Sequence, residues 1–338
     1  MEDVSWIFNS DFEQRLFEQR FHHIHSNKNT QEFEYFIHLL DPNLTIFTNK
    51  KYSDEYNEFI LKLSGAELKT TSKSSLIINW CGDYTQLELK SKFQNKAILA
   101  KTLKDQGLIK STPEIITETN KLEDGFLYKY PKSLSGGGHY FFPRDKPRLH
   151  KLLRQNEPLI KEKIYKRFLD FSALVESGVQ IGLYQNIIDD YFQYKGTIVD
   201  DEFSLGEFAD EYEFVVSKIR DLSKDYLGVF SIDSFLYLEA GEKKLYPACE
   251  MNMRKTMGYT ALKFKEKYFK GNSKIKMILV RNTLKDFSYL RLEESFGSNV
   301  LLISPTDNRF LVFIITGNNM TEINERESQL SSTFLKRL

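Results

Sequence analysis

Apolar and charged positions alternate along this chain in short blocks, and the spacing of the apolar ones changes from block to block. In Phe33–Leu40 and Tyr56–Leu63 they recur at helical spacing, whereas Thr45–Phe47 and Leu76–Trp80 are short apolar runs of the kind that form buried strands. Strands alternating with helices predict a small α/β domain over residues 1–90. Residues 92–107 place Ile98, Leu99 and Leu103 on one side of a single amphipathic helix, which Gly107 can end in the left-handed conformation. Glu114–Thr117 and Gly125–Lys129 read as strands, the second running into the glycine-rich segment Ser133–Phe142. The pattern then predicts a helix at about Arg148–Lys161, an apolar stretch at Ile164–Leu169, strands at Ser172–Glu176 and Val179–Tyr184, and a helix over Phe203–Leu222. Val229–Leu238 and Lys244–Asn252 flank Ala240-Gly241 as a hairpin. A helix near Thr260–Phe269 and strands at Lys276–Val280, Val300–Ile303 and Phe310–Ile315 complete the pattern, with no internal repeat or low-complexity tract.

Composition narrows the class. At roughly 100–200 residues per domain, 338 residues suggest two to three domains. Apolar residues make up 41%, with 27 Phe and 18 Tyr, enough for a large core, and no run of 18 apolar residues offers a membrane span. Lys+Arg and Asp+Glu balance at 47 each, which argues against a nucleic-acid or membrane-surface protein. The two cysteines, Cys81 and Cys249, are too far apart for a CxxC pattern, and the N-terminus lacks the apolar core of a signal peptide, so a reducing cytoplasmic location is expected.

Four pieces of candidate chemistry follow one another in order. Lys96 opens a helical stretch. Lys129 ends a strand and is followed by Ser133-Leu134-Ser135-Gly136-Gly137-Gly138. Asp233 lies inside an apolar strand, and Glu250-Met251-Asn252-Met253-Arg254 ends the next one. A polyphosphate needs fixed cations and backbone N–H donors. Lys96 and Lys129 supply point charges, and consecutive glycines let the backbone approach without side-chain clash. A Mg²⁺ ion held against phosphates needs one or two carboxylates. Alternation puts Glu250, Asn252 and Arg254 on one face of their strand, the hairpin can bring Asp233 beside them, and Met251 and Met253 take the opposite face for the core. Each piece has a blander reading. A glycine triplet alone is more often a hairpin loop and this one lacks the Lys-Ser/Thr of a Walker loop. A lone lysine is usually solvated, but an Asp in a buried strand is costly without a partner. His22, His23 and His25 read as surface or structural, because adjacent residues on a helix cannot face one site. His139 borders the glycine segment. Cys249, next to Glu250, is expected to point into the core.

This order of motifs resembles the ATP-grasp superfamily, over about residues 75–270. Glu250-Met251-Asn252-Met253-Arg254 is similar to that family's metal-binding E-x-N-x-R strand, and Asp233 to its other acidic ligand. Lys96 and Lys129 resemble its two phosphate lysines, and Ser133, Ser135, Gly136, Gly137 and Gly138 its phosphate-covering loop. Lys166-Arg167-Phe168-Leu169 falls where the family's hinge holds adenine through backbone groups, with Arg167, Phe168 and Leu169 as the contacts. Lys166 departs from the acidic residue many members carry there. The resemblance implies an α/β (α+β) fold. An N-terminal α/β domain would span 1–90 and an ATP-grasp domain 91–338, with a lid lobe at about 112–168 and a metal-binding antiparallel lobe at about 169–338. It implies ATP with Mg²⁺ or Mn²⁺ as cofactors, metal on Asp233, Glu250 and Asn252, and a catalytic Arg254 on the γ-phosphate or a substrate carboxylate. The implied reaction joins a small-molecule or peptide carboxylate to an amine through an acyl phosphate. A kinase with a hydroxyl acceptor and a non-catalytic nucleotide-binding protein are the rival readings. Neither nucleic acid nor membrane is expected as a partner, and a homodimer is compatible with the resemblance.

Overall fold

The computed structural model describes residues 3–18, 26–109, 113–132, 138–269, 271, 273–283 and 287–335. The chain begins with four short strands, β1 (Val4–Ile7), β2 (Ile46–Phe47), β3 (Thr70–Thr71) and β4 (Leu76–Asn79), among helices α1 (Phe12–Glu18), α2 (Lys28–Gln31), α3 (Tyr35–Leu40) and α4 (Asp54–Ser64). They pair in parallel in the order β3-β2-β1-β4, as strands joined through helical crossovers do. Ser53 caps α4 by accepting the Tyr56 amide, and Gly65 ends it in the left-handed region at φ 74°.

Helices α5 (Leu87–Gln94) and α6 (Lys96–Asp105) lead out of this unit. The single helix expected over 92–107 is therefore two. Asn95 is extended (φ −78°, ψ 107°), and its side chain accepts from the Ala97 and Ile98 amides, so one residue ends α5 and caps α6. The break fixes Lys96 as the first residue of a helix rather than one in its middle.

A second sheet follows, with β5 (Glu114–Ile116), β6 (Phe126–Lys129), β7 (His139–Phe141) and β8 (Leu159–Lys163) antiparallel in the order β5-β8-β6-β7. Helix α7 (Lys146–Arg154) packs Leu149 and Leu153 against Ile116, Tyr128 and Leu159. The helix expected to run to Lys161 stops at Arg154. Pro158 disfavours helical backbone just before it, and the apolar residues beyond form β8 instead.

The rest of the chain builds the largest sheet. Its members are β9 (Lys166–Glu176), β10 (Val179–Ile188), β11 (Tyr194–Val199), α8 (Ala209–Leu222), β12 (Val229–Glu239), β13 (Glu242–Asn252), α9 (Met257–Tyr268), β14 (Lys274–Arg281), α10 (Tyr289–Phe296), β15 (Val300–Leu302), β16 (Phe310–Gly317) and α11 (Met320–Thr333). The strands are antiparallel in the order β13-β12-β9-β10-β11-β14-β16-β15. The stretch from Ile164 and the strand at Ser172 are parts of one connection and one long strand, and the expected helix from Phe203 starts at Ala209. Alternation along β9, β12 and β13 sends Phe171, Ala173, Phe230, Ile232, Met251 and Met253 into a core with α5, α6 and α8. The other face of these strands is polar, and it looks toward the second sheet across a cleft. Among the described residues no helix is long and apolar enough to cross a membrane.

Candidate active site

The cleft has a volume of about 730 Å³. Its acidic end is made by the β12–β13 hairpin, where register sets Asp233 directly opposite Glu250 and Ser231 opposite Asn252. The Asn252 Nδ2 donates to Asp233 Oδ2 at 3.0 Å, and Ser172 Oγ, from the facing position on β9, donates to Asp233 Oδ1 at 2.7 Å. Asn186 Nδ2 in turn donates to Ser172 Oγ at 2.6 Å. Burial, and then the facing Glu250 charge, push the Asp233 carboxyl up. Burial works against the Glu250 charge as well, but the Lys96 ammonium, with Lys129 behind it, holds that carboxyl below its usual range. Two opposed carboxylates, one of them driven toward protonation, are a donor set that a divalent cation would relieve. Among the described residues no group of three or more His, Cys, Asp and Glu gathers for a metal, so any ion here would rest on two carboxylates, the Asn252 amide and ligands from outside the protein.

The cations come from separate elements. Lys96, at the N-terminus of α6, reaches Glu250 Oε1 at 2.8 Å, and its own amide donates to Pro131 O at 3.2 Å, tying the helix start to the second sheet. Lys129 ends β6 opposite His139 and pairs with Glu162 of β8, whose Oε1 also accepts from the Tyr246 hydroxyl at 3.1 Å. Burial alone would raise Glu162, yet the Lys129 charge and hydrogen bond outweigh it and hold the carboxyl low. Burial, with Lys129 close by, lowers His139 to about 4, so its ring is neutral near pH 7. Arg254 lines the cleft and pairs with Glu13 of α1 at 3.0 Å, a link from the first sheet unit to the third.

Two expectations change. The chain crosses from the second sheet to the third at Ile164 and Tyr165, while Lys166–Leu169 already belong to β9, so the crossing lies just before the expected hinge. Within 166–169, Phe168 is 47% exposed, Leu169 pairs opposite Leu236, and the Arg167 guanidinium lies in the cleft. It pairs with Asp170 at 3.0 Å between the rings of Phe235 and Phe192, at 3.8 and 4.4 Å from their centroids. Cys249 lines the cleft rather than the core, because an irregularity in β13 opposite Asp233–Phe235 breaks strict alternation next to Pro247, whose carbonyl accepts from Ser234 Oγ at 2.7 Å. Burial pushes the Cys249 thiol up to about 12, so it is not poised as a nucleophile. Gly138 is described, and its carbonyl accepts from the Tyr130 amide at 2.9 Å. Ser133, Ser135, Gly136 and Gly137, like His22, His23 and His25, lie outside the described residues.

Sequence reasoning passed over Ser172, Ser231, Asn186, Glu162 and Glu13. Ser172 and Ser231 did carry a signal, as polar residues in phase with Asp233 and Asn252 along apolar strands. Glu13 carried none, since its partner is 241 positions away.

No family model matches the sequence, and no curated protein matches it either. Solved structures do resemble it. N5-carboxyaminoimidazole synthetase from Staphylococcus aureus, complexed with ADP, superposes with a TM-score of 0.57 at 15% identity, over 98% of this chain and 96% of that one. The biotin carboxylase domain of 2-oxoglutarate carboxylase from Hydrogenobacter thermophilus, in complex with MgADP, ADP and bicarbonate, gives 0.53 at 12% over 98% and 84%. L-amino acid ligase from Bacillus licheniformis gives 0.53 at 11% over 98% and 97%. With its three sheets in this order and arrangement, the chain has the ATP-grasp fold.

Proposed function

We propose that this chain is an ATP-dependent ligase that activates a carboxylate as an acyl phosphate and transfers it to an amine. The observation that carries the reading is the direct opposition of Asp233 and Glu250 across the β12–β13 hairpin, with Asn252 in the same set and Lys96 held on Glu250. The residues fit a divalent cation, with Asp233, Glu250 and Asn252 as its protein ligands. When bound, such an ion supplies charge neutralisation to the phosphates of ATP. Lys96 and Lys129 are ion-paired with Glu250 and Glu162, which positions both ammonium groups before any phosphate arrives. Arg254, fixed by Glu13, offers a planar donor to a phosphate or to the substrate carboxylate. His139, neutral near pH 7, borders the cleft opposite Lys129 and adds no positive charge to the phosphate cations there. Ile164–Tyr165 joins the two sheets that form the cleft and is the backbone nearest the expected adenine contacts, with Arg167, Phe168 and Leu169 immediately after it. Similarity to N5-carboxyaminoimidazole synthetase, a biotin carboxylase domain and an L-amino acid ligase at 11–15% identity supports the fold of such a ligase, and the residues of the cleft support its chemistry.

The test is a screen of amino acids and short peptides for ADP and phosphate release from ATP. Release that requires both an acid and an amine, with a new amide in the products, supports the ligase. A phosphorylated product with no amide establishes a kinase instead, and tight ATP binding without turnover on any pair establishes a non-catalytic binder.

A further inference from the structure

The same cleft has a second, basic end that the ATP reading does not use. Leu279 and Arg281 of β14 and Phe310 of β16 share a face, Arg281 standing opposite Phe310, and Arg309 precedes Phe310 with its guanidinium 4.8 Å from that ring. Phe33 stacks on Phe310 at 6.5 Å and 18°, giving this end an aromatic wall.

The acidic groups nearby are committed elsewhere. Both Glu32 oxygens accept backbone amides, of Phe310 at 2.6 Å and Arg309 at 3.3 Å, and Asp307 pairs with Lys50 at 3.2 Å. Lys195, at the same end, is neutralised by Asp189 at 3.0 Å. Among the described residues neither Arg281 nor Arg309 pairs with a carboxylate, and both face the cleft. Elsewhere in it the cations are matched, Lys129 by Glu162, Arg167 by Asp170 and Arg254 by Glu13.

We propose that Arg281 and Arg309 form a subsite for a second anionic group of the substrate, a carboxylate or phosphate remote from the group that reacts. Two guanidinium forks beside an aromatic wall suit a planar or tetrahedral oxyanion carried on a partly apolar body. Four strand spacings separate β12 from β14, roughly 19 Å across the sheet, so the substrate is extended, on the scale of a short peptide or a sugar phosphate rather than a single small acid. This deepens the ligase reading and rests on it for the position of the reacting end.

Calorimetry with matched probes tests the subsite, with and without saturating ADP and Mg²⁺. Ala-Ala-Glu against Ala-Ala-Gln reports a carboxylate, and ribose 5-phosphate against ribose a phosphate. In one of the two pairs the anionic member should bind on the order of tenfold more tightly, and Arg281→Gln/Arg309→Gln should reduce that ratio to near one while leaving ADP affinity unchanged. No preference in either pair, or a preference that survives in the double variant, overturns the subsite. Absence of ADP binding by the wild type would count against the nucleotide reading alone, because the probe comparison is also made without ADP.

Discussion

Glu250 does two jobs at once. It faces Asp233 as a like charge and holds Lys96 as an opposite one. Glu250→Gln keeps the volume but removes the charge. It should lower turnover on the order of 100-fold and abolish any tightening of ADP binding by Mg²⁺, which titration with and without the metal measures. An unchanged metal effect would remove Glu250 from the ion's ligands. The same variant removes the charge of the partly buried Lys96–Glu250 ion pair, so stability should fall by about 1–3 kcal/mol in urea unfolding. Glu34, next in sequence to the cleft-lining Phe33 but itself buried against Tyr52, offers a second titration. Burial raises its carboxyl to about 7, against the hydrogen bond from the Tyr52 hydroxyl at 2.8 Å. A carboxyl with a raised folded pKa binds its proton more tightly in the native state. Its stabilisation is therefore complete below the unfolded value of 4.5 and is lost as pH rises to about 7. His139, lowered to about 4, acts in the opposite sense below its ordinary range, so the effect is read as a difference between proteins. Glu34→Gln should flatten the pH dependence of unfolding between pH 4.5 and 7 by up to ~3 kcal/mol relative to wild type. Parallel curves would show that Glu34 does not titrate there.

The β12–β13 hairpin is the element on which the acidic end depends, because its register sets Asp233 against Glu250. Its turn is Ala240-Gly241, with φ of 53° and 86°, the two positive values of a type I′ connection. Glycine meets that demand at the second position, while alanine at the first is strained. Ala240→Asn should stabilise the protein by about 0.5–1 kcal/mol, measured by denaturant unfolding, with no change in nucleotide binding. Asn95 plays the corresponding part between α5 and α6. Asn95→Ala should cost about 1 kcal/mol and, by fraying the first turn that carries Lys96, weaken ATP binding more than it slows turnover at saturation. Equal ATP affinity in this variant would separate the helix start from the phosphates.

At the scale of the molecule, three ion pairs converge on the cleft. Lys129–Glu162 lies within the second sheet, Lys96–Glu250 joins α6 to the third, and Glu13–Arg254 joins the first unit to the third. The last has side chains 7% and 18% exposed, so breaking it strands a mostly buried guanidinium. Glu13→Gln should destabilise by about 3 kcal/mol and raise KM for the substrate that Arg254 holds. Glu13→Asp, which retains the charge, should recover part of both losses. Loss of stability with KM untouched would make the pair a purely structural tie.

Local pattern determined the elements and much of the acidic end. Period-two alternation in Val229–Leu238 and Lys244–Asn252 separated Met251 and Met253 from Glu250 and Asn252, and those residues take opposite faces in the structure because side chains alternate where the strand is regular. The ordered motifs were enough to point to the ATP-grasp fold. Where the pattern misled, a local competitor prevailed: the Asn95 cap against a continuous helix, Pro158 against a long α7, and the irregularity beside Pro247 that turned Cys249 to the cleft. Other facts belonged to the tertiary structure alone. The pairing of Arg254 with Glu13 and of Lys129 with Glu162, the crossing at Ile164–Tyr165, and the placement of Arg281 and Arg309 at one end of the cleft depend on sheet order and on contacts between residues far apart in the chain. Electrostatic partners act across a few ångströms of space whatever their separation in sequence, so their identity waits on the fold.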